Sequence, residues 1–135
     1  MGIVDAFREY DAELKNVQWS VSSISEKGEL VVSCWRQKLK FIKNERILQY
    51  TDELNRWREG SPGGTELKEN LQDAYDKETE VRLVIVDTME KSAVDESTNL
   101  SKIQKTYAVK KDVIGRVREF DGNKYVIDFQ ENSTK

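Results

Sequence analysis

Val81-Arg82-Leu83-Val84-Ile85-Val86 is apolar on both of its alternating faces except at Arg82. A strand at the surface would show one apolar and one polar face, so this segment reads as a central strand covered by helices on at least one side. Before it, Leu67, Leu71, Ala74 and Tyr75 share one face of a helix expected over 65–78, with Thr65 as N-cap and Glu66 and Glu69 in the first turn. After it, 87–101 is rich in Ser, Thr, Asp and Glu and reads as a mobile loop. Ile103, Lys105, Tyr107 and Val109 then alternate with Gln104, Thr106 and Ala108, which predicts a strand. Residues 113–120 and 124–129 form a hairpin around Asp121-Gly122-Asn123, since Asp-Gly suits a tight turn.

Towards the N-terminus, Ile3, Phe7, Tyr10 and Leu14 recur at helical spacing and predict a helix over 4–15. From Val17 the period becomes two. Val17, Trp19 and Val21 lie on one face, Glu26-Lys27-Gly28-Glu29 makes a turn, and Leu30 to Trp35 returns as a buried strand. This strand is read as continuing through Arg36, Lys38 and Lys40 on one face and Leu39 and Phe41 on the other. Ile47, Tyr50, Leu54 and Trp57 fit a helix over 51–58, although 46–50 also suits a sheet. The expected fold is α+β: a mainly antiparallel sheet of five or six strands with two or three helices packed on one face. Residues 1–129 form the single domain and 130–135 a frayed tail. Trp19, Trp35 or Val126 would remain on the other sheet face, which suggests a second copy of the chain as cover and hence a homodimer.

Composition removes several classes of function. The chain has 135 residues, enough for one core, and its 35% charged residues imply a highly charged surface. A net charge of −3 argues against a general nucleic-acid coat protein or a membrane-surface binder acting through overall charge. There is no histidine, which removes Ser-His-Asp and Cys-His nucleophiles, imidazole bases and His-containing metal sites. The single cysteine, Cys34, lies in an apolar run, forms no intrachain disulfide and points to a reduced, cytoplasmic setting. Met1 to Tyr10 carries acidic residues where a signal peptide would be apolar, and no apolar run approaches the ~20 residues that span a bilayer. In size and composition the chain resembles the small stand-alone open reading frames common in bacterial and mobile-element genomes.

Three candidate sites remain. The stretch from Asn55 to Leu71 gathers the only proline, Pro62, and three of the seven glycines. Backbone N–H groups at a glycine-rich turn that opens a helix can cradle an anion, with Arg56, Trp57, Arg58, Gly63, Gly64, Thr65 and Lys68 as candidate ligand-binding residues. The turn lacks Walker spacing and reads first as a tight helix-to-helix corner of type II geometry at Ser61-Pro62-Gly63, pinned by Trp57, and second as a ligand rim. The leading expectation is therefore a cofactor-free, non-enzymatic binding module for an anionic small molecule or a partner protein. The second candidate is a nucleic-acid surface made by Arg36, Lys38, Lys40 and Lys43 together with Lys105, Arg116 and Arg118, should the two basic strands neighbour each other. The third is metal-dependent phosphodiester cleavage by Asp87 and Glu90 with Lys91. It lacks the second acidic strand such sites use, because Asp95 and Glu96 fall in a polar loop.

Overall fold

The computed structural model of the chain describes residues 1–89 and 104–132. Helix α1 (Ile3–Arg8) leads into strands β1 (Ser22–Ile24), β2 (Leu30–Trp35), β3 (Leu39–Ile42) and β4 (Ile47–Glu53). Helix α2 (Pro62–Lys77) follows, then β5 (Val81–Asp87), β6 (Thr106–Val109), β7 (Val113–Phe120) and β8 (Lys124–Glu131). The eight strands form one sheet in the order β1-β2-β5-β7-β8-β4-β3, with β6 also paired to β5. The sheet is mixed and wider than expected: β2 and β5 run parallel, from Leu30 opposite Val81 to Trp35 opposite Val86. The parallel pair exists because α2 carries the chain back to the end of the sheet where β2 began.

Helices lie on both sides of the sheet, not on one. Leu30, Val32 and Cys34 of β2 and Val81, Leu83 and Ile85 of β5 share the main core with Leu67, Leu71 and Ala74 of α2. Their alternating neighbours Val31 and Val84 pack against Ala6 and Phe7 of α1 on the opposite face. That double cover explains why 81–86 is apolar on both faces. Helix α1 stops at Arg8, well short of residue 15, and Asp11 takes the left-handed conformation at φ 58°. Tyr10 still reaches the core, where its hydroxyl donates to the Leu83 carbonyl (2.7 Å) and accepts the Lys110 N–H (3.1 Å) at the junction of β6 and β7.

The basic continuation of β2 is broken by a 3-10 turn at Arg36–Lys38, after which β3 pairs with β4. The helix expected over 51–58 is instead the end of β4 and a second 3-10 turn at Leu54–Arg56. Helix spacing lost to pairing there, because β4 is matched to β8 along its whole length, from Ile47 opposite Gln130 to Glu53 opposite Lys124. Residues 17–21 precede β1 as a loop with Val17 exposed, so the first hairpin is shorter than its alternation suggested. The Asp121-Gly122 hairpin forms as expected, with Gly122 at φ 97°. Gln130 and Glu131 pair within β8, while 133–135 lie outside the described residues. So do Glu90, Lys91, Asp95, Glu96, Lys102 and most of the expected 87–101 loop.

Three strands separate β2 from β4 in the sheet order, yet the Trp35 N–H of β2 donates to the Tyr50 hydroxyl of β4 at 3.2 Å. The sheet therefore curls around the main core. Its curled end is where the candidate site lies.

Candidate functional site

The hairpin turn at 121–123 anchors this end of the molecule. Asp121 Oδ1 accepts the N–H groups of Asn123 (2.9 Å) and Lys124 (2.7 Å), and these bonds hold its carboxyl below the ordinary value of 3.8. Asn123 then reaches towards β4. Its carbonyl accepts the Leu54 N–H (2.9 Å), its Oδ1 accepts the Asn55 N–H (2.9 Å), and its Nδ2 donates to Glu53 Oε1 (3.1 Å). The 3-10 turn Leu54–Arg56 is fixed by these contacts, and with it the points from which Arg56 and Trp57 project.

Arg56 turns inward to a buried carboxylate. Its Nε lies 3.1 Å from Asp52 Oδ1, and the two side chains are only 7% and 6% exposed. Asp52 also accepts the Glu53 N–H (2.9 Å) and the Tyr50 hydroxyl (2.9 Å), so three donors surround its two oxygens. Cys34, Tyr50 and Tyr125 complete this polar interior, and burial pushes the thiol and both hydroxyls well above their ordinary values. Cys34 is a small core residue, and its raised pKa makes it a poor nucleophile.

The glycine-rich stretch is the first turn of α2 itself. Pro62 starts the helix three residues before Thr65, a position where its missing N–H costs nothing, so the segment is neither a free loop nor a type II corner. Gly63 and Gly64 are required for a different reason. A Cβ on Gly63 would sit 2.5 Å from the Trp19 carbonyl oxygen, and one on Gly64 would sit 2.8 Å from Trp57 Cβ and 3.0 Å from Trp57 Cγ. The bare helix turn thus lets the 16–20 loop and the Trp57 side chain close against it. Ser20 and Asn16 brace that loop through an Asn16 N–H to Ser20 Oγ bond of 3.0 Å.

These contacts shape a cleft of about 560 Å³. All three tryptophans of the chain, Trp19, Trp35 and Trp57, line it, each from a different segment. Among the described residues its charged lining consists of Asp52, Arg56, Arg58 and Lys105. Lys105 is half-buried, and desolvation lowers its pKa from the ordinary 10.5. Ser61, at the N-cap position of α2, lines the cleft as well; its Oγ makes no capping bond and is buried with no hydrogen-bond partner among the described residues.

Of the residues expected from sequence, Arg56, Trp57 and Arg58 reach the cleft. Gly63 and Gly64 support its wall, while Thr65 and Lys68 are exposed on α2 away from it. Trp19, Trp35, Asp52 and Ser61 were missed as parts of one site, although the convergence of a rare residue type was available as a signal. Lys105 joins the cleft instead of a basic surface.

The two basic strands are not neighbours, because β8 and β4 lie between β7 and β3. Lys40, Gln49, Asp128 and Arg116 face one another in register across the four strands. Arg118 lies 3.2 Å from Asp128, Arg116 3.8 Å from Glu80, and Arg36 3.1 Å from Asp87, so carboxylates interrupt the expected positive stripe. Lys38 leads into β3 and Lys43 sits in the β3–β4 turn. Among the described residues no three Asp, Glu or Cys side chains gather as a metal site requires, and no described helix is long and apolar enough to cross a membrane. Trp19 and Trp35 face the cleft and Val126 is buried, so these residues do not mark an open sheet face. No protein-family model, curated protein or solved structure matches this chain.

Proposed function

We propose that the protein is a binding module whose tryptophan-lined cleft takes an anionic small molecule. The observation that carries this reading is the joint placement of all three tryptophans and three cationic side chains around one cavity. Its volume falls within the range of roughly 300–1,000 Å³ usual for small-molecule sites. Asp52, the only carboxylate among the described lining residues, is already engaged by Arg56. Arg58 and Lys105 have no carboxylate partner among the described residues and supply the positive charge that an anion would meet. A desolvated lysine gains most from such a counter-charge, because the low local dielectric strengthens the attraction.

A thermal-shift series with inorganic phosphate, organic phosphates and organic carboxylates tests the reading. A ligand at a hundred times its Kd stabilises the native state by about 2.7 kcal/mol, a shift of several degrees. The expected result is a shift with at least one class of anion that disappears in the Arg58→Ala, Lys105→Met double variant. No shift with any anion at 10 mM would remove the proposal.

A further inference from the structure

We propose that the ligand of this cleft is a flat heteroaromatic acid, its ring stacked against tryptophan and its phosphate or carboxylate meeting Arg58 and Lys105. This rests on the anion reading above and narrows it to one chemical class. The walls make the first argument. An aliphatic acid needs only aliphatic walls, whereas this cleft spends every tryptophan of the chain, and Tyr107 besides, on its lining. Indoles offer broad faces to a planar ring and lose little freedom on binding, most of all where already held. Trp57 is so held, since its side chain rests on the bare backbone of Gly63 and Gly64.

Charge decides between the two ligand types that aromatic walls favour. A quaternary ammonium also binds between aromatic rings. Among the described lining residues one carboxylate, itself paired with Arg56, is set against three cations, so a positive ligand is repelled and a negative one attracted. The Oγ of Ser61 points to a ring bearing nitrogen or oxygen at its edge. Ser61 lines the cleft and its buried Oγ has no hydrogen-bond partner among the described residues, so a heteroatom of the ligand would supply the missing bond.

The test is tryptophan fluorescence titration, checked by calorimetry, with five probes. Adenosine monophosphate and indole-3-acetate carry ring and acid, glycerol 3-phosphate the acid alone, adenosine the ring alone, and choline the opposite charge. At least one of the first two is expected to bind tenfold or more tighter than each of the other three. Trp57→Leu should then weaken it about tenfold, Trp57→Phe should restore much of the loss, and circular dichroism of both variants should match the parent. Glycerol 3-phosphate binding as tightly as the ring acids would overturn the ring assignment while leaving the anion reading intact. Adenosine equal to its monophosphate, choline as the tightest probe, or no binding by any probe at 10 mM would overturn both.

Discussion

Replacing Arg56 by Met strands the Asp52 carboxylate, and the structure sets the size of the consequence. Asp52 keeps its bonds from the Tyr50 hydroxyl and the Glu53 N–H but loses the guanidinium at 3.1 Å, in a place where both side chains are less than a tenth exposed. Solvent screening there is weak, and breaking a buried pair by removing one partner costs about 3–5 kcal/mol. The expected result is a loss of about 3–4 kcal/mol at pH 7, or roughly 10 °C in Tm. Adding Asp52→Asn to Arg56→Met removes the buried charge and should recover most of the stability at pH 7. Urea unfolding of the single and double variants at pH 7 measures this from the midpoint at constant m. A loss below about 1 kcal/mol at pH 7, or a double variant no more stable than Arg56→Met alone, would refute a buried, mutually dependent pair.

The same interior predicts alkaline instability. Cys34, Tyr50 and Tyr125 all have raised pKa values in the fold, so stability is intact below their ordinary values and falls as pH passes 9.0 and then 10.0, where the unfolded chain ionises first. The slope in a pH series of denaturation midpoints should reach about 1.4 kcal/mol per pH unit for each group involved; a flat profile to pH 10.5 would contradict the burial described. Lys105→Met should leave urea stability unchanged or slightly raised, since it removes a desolvated cation, while weakening anion binding about tenfold; lost stability with unchanged binding would make Lys105 structural. Gly63→Ala should destabilise by about 1–3 kcal/mol in thermal unfolding despite alanine's helix propensity, because its Cβ meets the Trp19 carbonyl oxygen; a stabilised variant would show that the 16–20 loop does not pack as described.

What was legible in the sequence was local. The 81–86 strand, helix α2 and the Asp121-Gly122 turn each announce themselves within a few residues, through unbroken apolar character, an apolar stripe and a left-handed glycine. Arg36 to Glu53 was opaque because partners far along the chain decide its form. Ile47, Tyr50 and Leu54 suit either period, and pairing with β8 selects the strand. Nothing local says which face of the central strand a helix will cover. That depends on where the chain reverses, and here α1 and α2 reverse onto opposite faces. The site followed the same division. Arg56, Trp57 and Arg58 drew notice from their glycine-rich context, whereas Trp19, Trp35 and Lys105 come from three other segments and meet them only because the sheet curls. Asp52 gave no signal at all, since a lone aspartate in a polar run reads as solvated.

The three indole N–H groups offer the most direct test of the central claim. In a proton–nitrogen correlation spectrum they give three resolved side-chain signals, one for each tryptophan. Titration with adenosine monophosphate and, separately, indole-3-acetate is expected to move all three along one saturation curve with at least one of these acids. The backbone amides of Arg58, Ser61 and Lys105 should follow the same curve. Indole signals that stay fixed with both acids to 10 mM, or shifts confined to Lys40, Arg116 and Arg118 on the outer sheet face, would contradict a ligand site in the tryptophan-lined cleft.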